Sequence, residues 1–452
     1  MRRTIVVRAL IGVILLGASC GPCRIPPVPA AMTGDNSGGA IAVYQIWPMS
    51  DSYGTFYVQK ISPDGDFLWE EGGILIGSGC PADDQCPSFA ISDGSGGTVI
   101  IWMERLPQPE GEPERLYFQS HAARIDSEGN IKWQRDIPGV DQAIPDGSGG
   151  AIIAYRAPHN DIAVLKVDSE GNLPWGEDGA SLNTGQCWPL AVASDDLGGI
   201  IVVGCASEGF VYVQRVDSEG NTLWQTGGVQ ACVGPAEEAQ VASDGAGGAI
   251  VAYMRDIPCD DGRIGGYCDS DIYAQRIDVE GNVLWGLDGV PICAGPSHPN
   301  TPKIVTDGAG GAIIFFTFIG SEVSSPGYVA FRARRIDADG HELWEAEAEL
   351  WGGMIVSDGS GGVISVWYDE EGTSARAQRV DAVGRELWGP DGVTLRNVRP
   401  SLAVSDGCGG VFISWAAAEF RGCELSEVSY YVQRIDAEGN LPWGDEGVLL
   451  NP

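Results

Sequence analysis

Asp256, Asp260, Asp261, Asp269 and Asp271 crowd one short stretch of this 452-residue chain. Carboxylates are hard oxygen ligands, so the stretch is a candidate Ca2+ site. It lacks the EF-hand pattern, and solvation alone accounts for an acidic loop on a surface. Ca2+ is therefore the one cofactor that the residues suggest, and no other is expected. Four histidines with no H-x-x-x-H spacing argue against a histidine metal centre. His159 and His298 fall in the connections that carry the variable loops. No P-loop or dinucleotide fingerprint occurs, and no catalytic residue stands out.

Twelve cysteines are present, and an exported chain can pair them. Cys80 and Cys86 flank a short loop, as do Cys259 and Cys268. Cys187 and Cys205 flank the Asp195–Gly199 turn, which could set them opposite each other across a hairpin. Cys232 and Cys293 hold the same place in successive repeats, a separation too large to bridge. Cys20 and Cys23 have C-x-x-C spacing but sit at an export junction, where lipidation or a disulfide is the expected chemistry.

The elements that must carry these groups are repeats. D-x-x-G-G begins at Asp35, Asp93, Asp146, Asp195, Asp244, Asp307, Asp358 and Asp406. The copies lie ~53 residues apart, close to propeller repeat lengths. A second turn alternates with it and leads each time to a tryptophan: Trp69, Trp133, Trp175, Trp224, Trp285, Trp344, Trp388 and Trp443. A periodic tryptophan reads as a packing wedge. Each unit reads as four strands: a short run into the glycine turn, an apolar run, an alternating run, and a tryptophan strand. No useful helical periodicity appears after residue 20. The expected fold is all-β, an eight-bladed β-propeller of four-stranded antiparallel blades, with a linear β-solenoid as the alternative.

Both recurrent turns should share one face of the ring, and their uniformity marks scaffold. The second-to-third loops and the crossovers should share the other. Those loops are long at Glu104–Arg115, Arg255–Ser270 and Ala416–Ser429. Variable loops on a rigid frame are where binding is expected. A Lys or Arg recurs on the third strand of every unit, and in seven an Asp follows two residues later. This pairing reads as a structural ladder.

Residues 1–19 read as a secretory signal: Arg2, Arg3 and Arg8 precede the short apolar run Ala9 to Ala18. Cys20 follows Gly-Ala-Ser, as in a bacterial lipobox, with Gly17 where leucine is usual. Cys20 is the expected lipidation site. Residues 20–30 are a proline-rich tether, and 31–452 form the propeller. The expected location is thus the bacterial cell envelope, lipid-anchored, or the medium. The formal charge is −35, and removing the three signal arginines takes it to −38. Such a surface repels nucleic acid and anionic head groups, leaving membrane contact to the lipid anchor. A monomer is expected.

The string Asp126-Ser-Glu-Gly-Asn-Ile-Lys-Trp133 resembles the tryptophan-docking motif of quinoprotein alcohol dehydrogenase-like propellers, with one residue fewer between Asp and Gly. Arg434–Val448 is similar to the delta-60 repeats of bacterial surface proteins. The resemblance implies the eight-bladed fold. It transfers no catalytic residue, because the adjacent Cys-Cys pair of the quinoprotein enzymes is missing here. The leading expectation is a non-enzymatic envelope or extracellular scaffold that binds a protein or glycan on its variable face. The alternatives are a polysaccharide hydrolase or lyase, and a quinone-dependent oxidoreductase.

Overall fold

The structure is a computed structural model. It describes residues 31–46, 54–79, 88–106, 117–158, 161–183, 187–206, 209–258, 267–294, 302–318, 330–348, 353–368, 373–421 and 424–450. The leader, the tether and Cys20 lie outside the described residues.

Thirty-two strands, β1 to β32 in chain order, make eight four-stranded antiparallel sheets. Blade five gives the plan: β17 (Ala236–Ser243), β18 (Ala249–Pro258), β19 (Tyr267–Ile277) and β20 (Val290–Cys293). The first strands form the inner ring. They are β1 (Ala31–Gly34), β5 (Ser88–Ser92), β9 (Gln142–Pro145), β13 (Cys187–Ser194), β17, β21 (Lys303–Thr306), β25 (Met354–Ser357) and β29 (Leu402–Ser405). Each touches the next, and β29 touches β1, so the ring closes. Every blade uses four consecutive strands, and none is donated across the seam. This is the expected eight-bladed propeller.

The core lies between blades. Ile250, Ala252 and Ile272 of blade five pack with Ile314, Phe316 and Ile336 of blade six. The second strands are apolar on both faces because each face meets a neighbouring blade. Burying one such side chain contributes about 1.5–3 kcal/mol.

The recurrent turns are Asx turns with a second task. Asp244 Oδ1 accepts the N–H groups of Ala246 (2.9 Å) and Gly248 (2.8 Å). Its Oδ2 takes Arg276 Nη2 at 2.9 Å. All eight third-strand cations pair with the D-x-x-G-G aspartate in this way, the six arginines at 2.9 Å and Lys60 and Lys166 at 3.4 and 3.6 Å. This corrects the expected ladder. The aspartate two residues after the cation is not its partner, because it caps its own hairpin. Asp278 accepts the N–H groups of Glu280 and Asn282.

The tryptophan then joins blades. Trp285 Nε1 donates to the Ala338 carbonyl of blade six at 3.2 Å, and Arg276 Nη1 donates to the same oxygen at 2.8 Å. The indole lies against Gly340 of that turn, where an added Cβ would come within 3.2 Å of the ring. The same Trp–carbonyl bond recurs in all eight blades.

Two blades depart from the plan. In six, a glycine four residues after the tryptophan has positive φ (Gly73, Gly179, Gly228, Gly289, Gly392 and Gly447). It bends the chain into a short last strand after the tryptophan. In blades two and six that position is Ile137 or Ala348. There the chain runs straight, so Trp133 lies inside β8 (Ile131–Ile137) and Trp344 inside β24 (Glu342–Ala348).

Candidate functional site: the variable-loop face

The two recurrent turns share a face. Arg124 spans them, holding Asp93 of one and the Ser169 carbonyl of the other. The opposite face carries the long connections, which are more regular than expected. In blade two β6 (Thr98–Leu106) enters the stretch by its last three residues, and β7 (Tyr117–Ile125) begins just after it. In blade five β18 reaches Pro258, and in blade eight β30 (Val411–Arg421) and β31 (Glu424–Ile435) nearly meet. In blades five and eight the described parts of these connections are therefore hairpin arms, because cross-strand pairing continues past the blade body.

One position on this half of the ring varies in chemistry while the frame around it repeats. Three residues before the ladder cation, the third strand carries Tyr57, His121, Ala163, Tyr212, Tyr273, Arg332, Arg376 and Tyr431 in turn. Each sits directly opposite a fixed place at the end of the second strand, aromatic in seven blades and Gly204 in the other. Tyrosine here stacks on that aromatic: Tyr57 on Tyr44 (5.9 Å), Tyr273 on Tyr253 (6.4 Å) and Tyr431 on Trp415 (5.4 Å). The repeat-based reading missed this position. Its signal was the fixed spacing to the cation.

Blade two holds the most polar version. Ser88, Trp102, His121 and Asp136 form one cross-strand row, with Glu104 two residues along from Trp102. His121 stacks on Trp102 at 5.1 Å. Its Nδ1 lies 2.8 Å from Asp136 and its Nε2 3.1 Å from Glu104. Only a doubly protonated imidazole can donate to both carboxylates. Ser88 is two strands from His121, about 10 Å at the usual strand spacing, so the row is not a Ser–His–Asp relay.

Trp102 is 1% exposed and its Nε1 has no hydrogen-bond partner. The cause is visible in the other blades. Tyr44, Tyr155 and Tyr253 hold the same place and donate to a carbonyl in the bend after the docking tryptophan. Blade two lacks that bend. Burial pushes the Tyr44 hydroxyl up to about 12 and that of Tyr253 still higher, so these groups serve as donors, not bases.

In blade five the structure puts Arg255 over the Tyr273 ring at 4.1 Å, with Nη2 donating to the Tyr273 hydroxyl and Nη1 3.3 Å from Asp288. Of the Ca2+ candidates, Asp260 and Asp261 lie outside the described residues. Asp256 and Asp269 are strand positions whose side chains also lie outside them. The register sets Asp271 opposite Arg255 and Asp256 opposite Ser270. A different oxygen-rich group lies in the blade-six turn, where ligand atoms of Asp337, Asp339 and His341 fall within 4.8 Å of one another. Asp337 there already accepts its own turn's N–H groups.

Cys80, Cys86 and Cys259 lie outside the described residues, as do the side chains of Cys187 and Cys268. The register sets Cys187 opposite Ala206 and Cys205 opposite Trp188, one step from the direct facing expected. Burial pushes the Cys205 and Cys232 thiols up, which removes thiolate character from both.

No family model matches the chain, and no curated protein matches it. The chain is similar to several solved structures. A eukaryotic initiation factor structure is 11% identical over 93% of this chain and 89% of its own, with a TM-score of 0.47. The polysaccharide lyase Uly1 is 9% identical over 91% and 90%, at 0.43. The β-propeller domain of the Trilobed protease from Pyrococcus furiosus, described as having an open velcro topology, is 10% identical over 77% and 92%, at 0.38. The propeller assignment rests on the strand order and the closed ring of first strands, not on these likenesses.

Proposed function

We propose that the chain is an exported, non-enzymatic recognition propeller of the cell envelope, binding a glycan or protein on its variable-loop face. One observation carries this reading. The turn aspartates, turn glycines, ladder cations and docking tryptophans repeat in all eight blades. The third-strand position on the opposite half takes Tyr, His, Ala and Arg in turn. Repetition of the frame is what closure of a ring demands; variation at one place within it is what selecting a ligand demands.

The docking of each indole on the next blade's turn supports kinship with the tryptophan-docking propellers. Quinone chemistry has no support, since no adjacent cysteine pair occurs. The signal-like leader and Cys20 support export and anchoring.

The test replaces Tyr57, Tyr212, Tyr273 and Tyr431 by Leu in the full chain, one at a time. A panel of immobilised envelope glycans and envelope proteins is then probed. The reading expects a ligand retained by the wild type and lost by some variants with little change in melting temperature. Turnover of a panel member would instead make the chain an enzyme.

A further inference from the structure

The chain is strongly acidic, and most of its described cations pair with a carboxylate. The eight ladder cations lie within 4.0 Å of a carboxylate, as do Lys132, Arg135, Arg255, Arg334 and Arg385. Among the described residues, Lys303, Arg376, Arg396 and Arg399 form no ion pair. All four belong to one sector, at the variable-loop end of blade seven and its borders.

Their placement is specific. Lys303 opens the inner strand of blade six and reaches across the seam to the Gly353 carbonyl of blade seven at 3.0 Å. It is exposed, yet crowding around its ammonium pushes its pKa down. Water reaches part of the side chain while no anion offsets the lost solvation. Arg376 is the exposed third-strand residue of blade seven, between Trp367 and Thr394 in one row. Arg396 directly follows the last strand of that blade, Val393–Leu395. Arg399 stands in the crossover to blade eight, beside Tyr368, whose hydroxyl donates to Pro400 at 2.8 Å. Asp369, Glu370 and Glu371 lie outside the described residues.

We propose that this sector binds an anionic polysaccharide through its carboxylate or sulfate groups. The proposal rests on the recognition reading above and names the ligand class for it. Guanidinium groups suit planar or tetrahedral oxyanions and stay charged at all relevant pH. Tyr368 is 37% exposed beside them, an aromatic of the kind that can stack on a sugar ring. A membrane or duplex would press a broad anionic surface against the acidic remainder of the ring. A single flexible polymer touches the local patch, and charges farther than about 8 Å away are screened at physiological salt.

The experiment measures retention of the full chain on polygalacturonate, dextran sulfate and neutral dextran at low and physiological salt. Binding to one or both polyanions, none to dextran, and weakening with salt are expected. Polygalacturonate alone would identify carboxylate as the group read, and dextran sulfate alone sulfate. Arg376→Ala and Arg399→Ala should each weaken binding about tenfold. Arg385→Ala, an exposed cation on the scaffold turns, should leave it unchanged. All three variants should melt near the wild-type temperature. The proposal is overturned by no retention on either polyanion at low salt, or by equal loss in Arg385→Ala. Capture of a neutral glycan that the third-strand tyrosine variants abolish and the arginine variants do not would overturn it while leaving the recognition reading standing.

Discussion

Trp443 Nε1 donates to the Pro63 carbonyl at 2.8 Å, a bond between residues 380 positions apart. It is the last of eight equivalent bonds, and it closes the ring. Nearby, Tyr430 donates to the Gln45 carbonyl at 2.7 Å, and Phe412 stacks on Trp443 at 5.6 Å. The seam is held by the same wedge as every other blade boundary, not by an exchanged strand.

Trp285→Ala should cost about 3–5 kcal/mol, typical of removing a large buried aromatic, and Trp443→Ala less, because Trp443 is only partly buried. They should differ in kind. Trp443→Ala opens the seam between chain ends and should broaden the thermal transition and raise protease sensitivity near residues 54–79. Trp285→Ala should lower the melting temperature with less broadening. Identical proteolysis patterns would refute the assigned role of the seam.

The turn glycines separate into two kinds. Gly245 has φ +77 with nothing within 4 Å of an added Cβ, so Gly245→Ala should cost only the left-handed strain, about 1–2 kcal/mol. Gly281 has φ +87, and an added Cβ would fall 2.8 Å from the Trp224 ring. Gly281→Ala should cost a further 1–3 kcal/mol, roughly, from overpacking. Chemical denaturation of the two variants checks the order.

The aspartate–cation pairs should respond asymmetrically. Asp244→Ala strands the Arg276 charge and frees two turn N–H groups, a loss of about 3–5 kcal/mol. Arg276→Met leaves Asp244 still accepting from Ala246 and Gly248 and keeps an aliphatic stem in place. It should cost clearly less. Equal losses would mean that the turn bonds contribute little.

Stability should fall in acid. Burial pushes the Asp93 carboxyl up, but hydrogen bonds from Ser95, Arg124 and Gly97 more than offset it and hold its pKa below 3.8. Asp35 follows the same logic through Ser37, Gly39 and Lys60. A carboxylate depressed in the fold contributes stability above its unfolded pKa and loses it as pH falls through the folded value. Melting temperatures should therefore drop below about pH 4. A melting temperature unchanged from pH 5 to pH 2.5 would contradict this.

The ring was legible because each blade must solve one packing problem in the same way, and the solution is written in Asp, Gly and Trp. The ladder was misread because two aspartates lie near seven of the eight cations. Sequence nearness favoured the one two residues away, whereas backbone N–H groups of its own turn claim that one. The hairpin arms of blades five and eight were read as loops because turn-forming residues there interrupt the apolar alternation. The buried Gln275 was missed as well. Its Nε2 donates to Gly286, and its Oε1 accepts from Arg276 and Trp285, a structural use of a polar residue with no apolar signature. The unspent Trp102 Nε1 could be found only by knowing that blade two lacks the bend that follows the tryptophan elsewhere.

The most direct measurement is hydrogen exchange with and without the retained ligand, beginning with polygalacturonate or dextran sulfate. The account predicts slowed exchange at the variable-loop ends, at Tyr368, Arg376 and residues 396–401, with the Asp35 to Asp406 turns unchanged. Protection confined to those turns, with the opposite face unaffected, would contradict it.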